Sequence, residues 1–131
     1  MRLLYLSADP GIPVLGDKGA SVHVRSLVWA LQSLGHELLV ASPRVEPGSE
    51  RLPEGVRPVE IPAVRPRDCA TAEQVAEQMA AQAQAVTKLV QGEDVEAIYE
   101  RYSLAACAGA RASVTVGVPL VLEVNAPLRD E

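Results

Sequence analysis

Three short clusters hold most of the residues in this chain whose side chains or bare backbone can do chemistry. In the first, Gly16 and Gly19 flank Asp17 and Lys18, and His23 follows one helical turn later. Glycines so placed let backbone N–H groups come close to an anionic ligand, and a helix that starts just after them adds unpaired donors and the positive end of its dipole. The loop is neither GxxxxGK[ST] nor GxGxxG, so an anion site and a plain turn both remain open on spacing alone. His23 lies off the apolar stripe of the helix, where an isolated histidine is ordinarily a surface residue. The second cluster is Glu100, Arg101, Tyr102 and Ser103; the third is Glu123 with Asn125. No His, Cys, Asp or Glu has metal-ligand spacing, Cys69 and Cys107 form no CxxC, and no GxSxG elbow occurs.

The elements that must position these clusters follow from periodicity. Arg2–Ser7 (RLLYLS) reads as a strand, and Ala8 to Ser21 as a loop longer than the ~2 to 6 residues usual between strand and helix. From Ala20, apolar residues recur at Ala20, Val24, Leu27, Leu31 and Leu34, one face of a helix that Gly35 ends. Trp29 is off that stripe, near Val22 on the wheel, and either lines a groove or packs under a loop; His36 reads as structural. Glu37–Ser42 (ELLVAS) is the second strand. Residues 44–68 carry five prolines and five arginines, which leaves room for one short strand at Val56–Ile61. The arginines suit an acidic acceptor, although Glu46, Glu50, Glu54, Glu60 and Asp68 favour a solvated loop of mixed charge.

Thr71 and Gln74 form a capping-box pattern that opens a long helix. Val75, Met79, Ala83, Val86 and Val90 are its buried stripe, with Gln78, Gln82 and Lys88 outward and Gly92 as its stop. Val95–Tyr99 is a strand, Leu104–Val116 an alanine-rich helix closed by Gly117 and Pro119, and Leu120–Val124 the last strand, followed by Asn125, Ala126 and Pro127. The order predicts an α/β fold with a doubly wound, mainly parallel sheet of about five or six strands and helices on both faces. In such sheets ligands bind at the carboxyl ends of the strands, so residues 9–19, 100–103 and 123–125 should converge.

The 131 residues, 48% of them hydrophobic, suffice for one packed domain. Seventeen acidic and twelve basic residues give a net charge of -5, against a broad nucleic-acid footprint. The two unspaced cysteines fit a reduced, cytoplasmic chain. The amino terminus is too short in its apolar run for a signal peptide, and no run approaches the ~18 apolar residues of a spanning helix; attachment at the inner membrane surface stays open.

The run from Gly19 to Pro43 (GASVHVRSLVWALQSLGHELLVASP) resembles the Gly-x-x-x-His-Val-x-x-Leu-x-x-x-Leu-x-x-x-Gly-His-x-Val-x-Val pattern of glycosyltransferase family 4, the retaining enzymes of GT-B architecture. Tyr99–Leu104 (YERYSL) and Gly117–Leu128 (GVPLVLEVNAPL) fit the same pattern in the same order. The resemblance implies a Rossmann-like, acceptor-side amino-terminal domain over residues 1–131, with the donor-binding carboxyl-terminal domain and its paired glutamates absent. Such a fragment should not turn over alone, and an exposed cleft face should favour self-association. It further implies a nucleotide-diphosphate sugar as donor, an acceptor as second substrate, and no metal or cofactor. Gly16, Asp17, Lys18 and Gly19 would face the donor diphosphate, and His23, Arg101, Tyr102, Glu123 and Asn125 would line the cleft. His23 and Asn125 are the candidates for catalysis; Asn125 stands where many relatives have histidine, and Glu123 fits an orienting role better than that of a nucleophile. The alternative is a free-standing, flavodoxin-sized module that binds a phosphorylated ligand without catalysis. A receiver-type signalling domain fails, because Ile61-Pro62 and Asn125 stand where it needs aspartate and lysine.

Overall fold

A computed structural model describes residues 1–125; Ala126 and Pro127, expected after the last strand, lie outside the described residues. β1 (Arg2–Ser7) is central because its sequence is apolar on both faces: all its residues but Arg2 are buried, as a strand covered on both sides requires. β2 (Glu37–Ser42), β3 (Arg57–Glu60), β4 (Ala97–Arg101) and β5 (Leu120–Glu123) join it in the order β3-β2-β1-β4-β5, every pair parallel. The expectation of five or six strands is met at five among the described residues.

α1 (Gly19–Ser33) covers one face of the sheet, where Val24 and Val28 pack with Leu3, Tyr5, Leu38, Val40 and Ala97. α2 (Ala72–Gly92) and α3 (Ala108–Val116) cover the other, where Ala83, Val86, Val90 and Ala112 pack with Leu4, Leu6, Leu39 and Ile98. Each fully buried valine contributes about 1.5–3 kcal/mol relative to exposure. The expected stripe on α1 is turned slightly: Ser21, Val24 and Val28 point inward, Leu27 and Leu31 are half-buried, and Leu34 is exposed as the residue that caps the helix. Gly35 then takes the left-handed backbone, at φ +89°.

Five expectations change. Gln82 is buried, not outward; its amide donates to the Pro62 carbonyl at 2.9 Å and pins the proline-rich segment to α2. Gln78 is half-buried and accepts the Arg65 N–H at 2.7 Å. β4 starts two residues late, because Val95 N–H closes onto Val90 and Glu96 N–H bonds the Arg2 carbonyl. α3 starts at Ala108 rather than Leu104, because Ala105 is left-handed at φ +58° and Ala106 turns back onto Ser103. α2 runs through Gly92, with the left-handed turn at Asp94 (φ +52°). The capping box of Thr71 and Gln74 is formed as expected.

Candidate functional site

The long loop after β1 is held rigidly. Asp9 Oδ1 accepts the Gly11 N–H at 2.7 Å, Ile12 and Val14 are buried, and the Val14 N–H donates to the Arg44 carbonyl. Gly16 N–H closes a turn onto Pro13, and a Cβ on Gly16 would stand 2.7 Å from Pro13 Cγ, so only glycine fits that turn. Arg25 Nη1 donates to the carbonyls of Val14 at 2.8 Å and Gly16 at 2.5 Å. The loop therefore hands the chain to α1 in a fixed pose.

At that handover the helix is uncapped. Lys18 precedes Gly19 in extended conformation, no side chain caps the first turn, and the turn holds no acidic residue. The amide groups of Gly19, Ala20 and Ser21 are the orphan donors of a helix start, which favours an anion there. Nothing lies within 4 Å of where a Gly19 Cβ would be, so a ligand can approach its backbone directly. Asp17 and Lys18 are exposed, and Lys18 Nζ reaches the Gly11 carbonyl at 3.4 Å.

Parallel register supplies the rest. Ser7 pairs with Arg101, and Arg101 with Glu123, so their side chains form a row on the α1 face at the carboxyl edge of the sheet. His23 reaches across from α1, its Nε2 2.6 Å from Glu123 Oε1; Arg101 Nη1 donates to the same oxygen at 3.4 Å, and Asn125 Nδ2 donates to it as well. Glu123 is nearly enclosed, and its Oε2 has no hydrogen-bond partner among the described residues. Two of the three clusters thus meet the start of α1, as the topology requires. Tyr102 sits at the rim, with its N–H on the Glu123 carbonyl and its side chain exposed.

Several polar groups at this edge carry no other element's interest in the sequence. Tyr5 Oη, Ser7 Oγ and Ser21 Oγ are buried on the α1 face, beside Arg101 and Glu123, without hydrogen-bond partners among the described residues. Burial pushes the Tyr5 phenol far up, with Glu123 adding to the effect and Arg101 opposing it; burial and Glu123 also raise Tyr99, which stacks on Tyr5 at 5.6 Å. The sequence signal for Ser7 and Ser21 was a hydroxyl at an inward position of an otherwise apolar pattern. On the opposite face, Glu100 is buried against the first turn of α3 and accepts the Gly109 N–H; burial raises its pKa, and that bond partly offsets the rise. Glu100 is therefore a helix cap, not a member of the cleft row.

Among the described residues no group of three His, Cys, Asp or Glu is placed to hold a metal, and no helix is long and apolar enough to cross a membrane. Both cysteines are free thiols, with Cys107 half-buried just before α3.

No protein-family model matches the chain, and no curated protein matches it in sequence. Solved structures do share its fold. MurG from Acinetobacter baumannii superposes with a TM-score of 0.61 at 10% identity, over 92% of this chain and 34% of that one. The Streptomyces sp. SF2575 glycosyltransferase SsfS6, complexed with thymidine diphosphate, gives 0.52 at 19% identity, over 94% and 38%. The C-terminal domain of a Pyrococcus furiosus hydrogenase gives 0.56 at 15% identity, over 94% and 90%. The chain thus spans about a third of the length of MurG and SsfS6 and nearly all of the hydrogenase domain. These likenesses establish the Rossmann-like α/β fold.

Proposed function

We propose that residues 1–131 form the acceptor-side, amino-terminal half of a retaining, family-4-like GT-B glycosyltransferase that moves a hexosyl group from a nucleotide-diphosphate sugar to an acceptor. The observation that carries this reading is the juxtaposition, at one sheet edge, of an uncapped helix start and the His23–Glu123–Arg101–Asn125 cluster. The motif resemblance and the fold shared with a glycosyltransferase bound to thymidine diphosphate support it. In that reaction the bond from the anomeric carbon to the diphosphate oxygen breaks, the diphosphate leaves with the electron pair, and the acceptor hydroxyl bonds the anomeric carbon as its proton passes to the departing diphosphate oxygen.

Negative charge grows on the leaving group, and N–H donors aimed at it lower the barrier. The Gly16–Gly19 loop faces the diphosphate, and the free N–H groups of Gly19, Ala20 and Ser21 present those donors to it, with Asp17 and Lys18 beside them. Glu123 fixes His23, Arg101 and Asn125 in one orientation, and His23 and Asn125 contact sugar hydroxyls. The proposed reaction draws on neither a metal nor a cofactor. A second, donor-binding half completes the site, and its partner surface is the cleft edge; the setting is cytoplasmic, at or near the inner membrane surface.

The test is calorimetric titration of the chain with nucleoside diphosphates and their sugar conjugates, alone and joined to a donor-binding half. Weak binding alone, with binding and sugar transfer in the joined protein, is the expected result. Tight binding by the 131 residues alone would support the second reading, a free-standing phospho-ligand module. The hydrogenase domain favours that reading to the extent that this fold exists there as a unit of similar size.

A further inference from the structure

A groove of about 380 Å³ runs along the flank of α1 that faces away from Glu123, between Arg25, Ser26 and Trp29 of the helix and Arg51, Leu52 and Pro53 of the proline-rich segment. Trp29 is the sole tryptophan and is 63% exposed, a large apolar ring left in water. Arg25 is locked by its two carbonyl bonds, which leaves its Nε and Nη2 N–H groups without a partner among the described residues. Arg51 enters no ion pair among them either. The groove is lined by two guanidinium groups and no carboxylate, in a chain whose net charge is -5.

A second recess, of about 510 Å³ at the amino edge of the sheet, shows the contrast. Its arginines are already spent on the protein's own acids, Arg2 on Glu37 at 3.2 Å and Arg57 on Glu93.

We propose that the α1 groove is a subsite for a pyranose carrying an anionic group, a carboxylate or a phosphate, on the acceptor side of the reaction. The apolar C–H face of a pyranose ring suits the exposed indole, and a planar guanidinium takes a carboxylate or phosphate through paired N–H donors. Residues 25–29 lie about 9 to 15 Å along the helix from Gly19, at 1.5 Å per residue, so the groove holds a sugar remote from the reacting one. Arg25 ties the two places together through Gly16. Reading the ligand as a sugar rests on the transferase assignment; the charge and the ring platform do not.

Because Trp29 is the only indole, its emission reports this groove directly. The chain is titrated with a uronate-terminated oligosaccharide, a hexose 1-phosphate and a neutral oligosaccharide, with indole emission and acrylamide quenching as readouts. Both anionic sugars are expected to shift the emission and shield the indole, and the neutral one to bind about tenfold more weakly. Arg51→Gln should erase that preference, and Trp29→Ala, followed by calorimetry, should abolish binding while the fold is retained by circular dichroism. Equal affinity for charged and neutral sugars, or an emission that does not respond, overturns the proposal. So does a response to anionic phospholipid vesicles without one to soluble sugars, which would make the groove a membrane contact. Nucleoside diphosphate binding by the Trp29→Ala chain joined to a donor-binding half is measured in parallel. The same measurement is made on the unsubstituted joined protein, where absence of nucleoside diphosphate binding would defeat the transferase reading, whereas the groove proposal fails or stands on the indole signal alone.

Discussion

Glu123 Oε1 receives His23, Arg101 and Asn125 together, so one carboxylate orients three side chains that the chain brings from two elements and a loop. Glu123→Gln should leave the largely enclosed Arg101 without its charge partner, a loss of about 1–3 kcal/mol in stability. In the joined enzyme it should lower kcat more than it raises KM, and an unchanged kcat would remove Glu123 from the site. His23→Ala is expected to act oppositely on the two readouts: stability within about 1 kcal/mol of the parent, since its ring is half exposed, with turnover strongly reduced. Loss of the folded signal would return His23 to a structural role. Glu100 gives a pH prediction with a definite sign. Its folded pKa is raised above the ordinary 4.5 by burial, so between those two values the native state holds more protons than the unfolded chain, and stability falls as pH rises. Melting temperatures measured upward from pH 4.5 should show that decline, and Glu100→Gln should flatten it; an unaltered slope would mean that the group is not perturbed as its burial implies.

At the scale of elements, what the sequence made legible was whatever repeats along one segment. The parallel order, the capping box at Thr71 and the left-handed stops at Gly35 and Gly117 follow from local pattern and backbone sterics. What it hid depends on partners distant in sequence. Gln82 looks outward on a wheel until the Pro62 carbonyl claims it, and the late start of α3 follows from a left-handed Ala105. The row Ser7–Arg101–Glu123 needed a register, and register is invisible when each strand is read singly. Two glycines test the helix starts. A Cβ at Gly109 would stand 2.8 Å from the Glu100 carboxyl carbon and 3.3 Å from Leu6 Cδ2, so Gly109→Ala should destabilise by about 1–3 kcal/mol in a denaturant melt. A Cβ at Gly19 has no atom outside its immediate chain and helix neighbours within 4 Å, so Gly19→Val projects into open space and should leave the melt nearly unchanged while weakening diphosphate binding; an unaffected KM for the donor in the joined enzyme would end the assignment of that loop.

On the scale of the whole molecule, α1 is the one helix among the described residues on its face of a five-stranded sheet, where Ile12, Val14 and Val56 of the loops join it, and β5 forms one border of that sheet. There Val121 on the α1 face is 53% exposed and Leu122 on the opposite face 48%, with Val124 58% exposed just after the strand, so apolar side chains flank backbone donors and acceptors that no further strand among the described residues pairs. An open apolar edge is a template for a second chain, and burying it favours association by about 25 cal/mol per Å². Opposing that is the charge of -5 on each copy, whose repulsion is felt over about 30 Å at 0.01 M salt and only about 8 Å at physiological ionic strength. The contact is short-ranged and the repulsion is not, so added salt should tip the balance toward association. Sedimentation of the isolated chain is therefore expected to show a mass that climbs with concentration at physiological salt and climbs less at low salt. Leu122→Lys places a like charge on the edge of each copy and should restore the monomer, with a stability change within about 0.5 kcal/mol because the side chain is half in water. A monomer at every concentration and both salts would mean that the β5 border does not pair with a second copy, and the repulsion between the two charges of -5 would then outweigh the apolar contact at both salts.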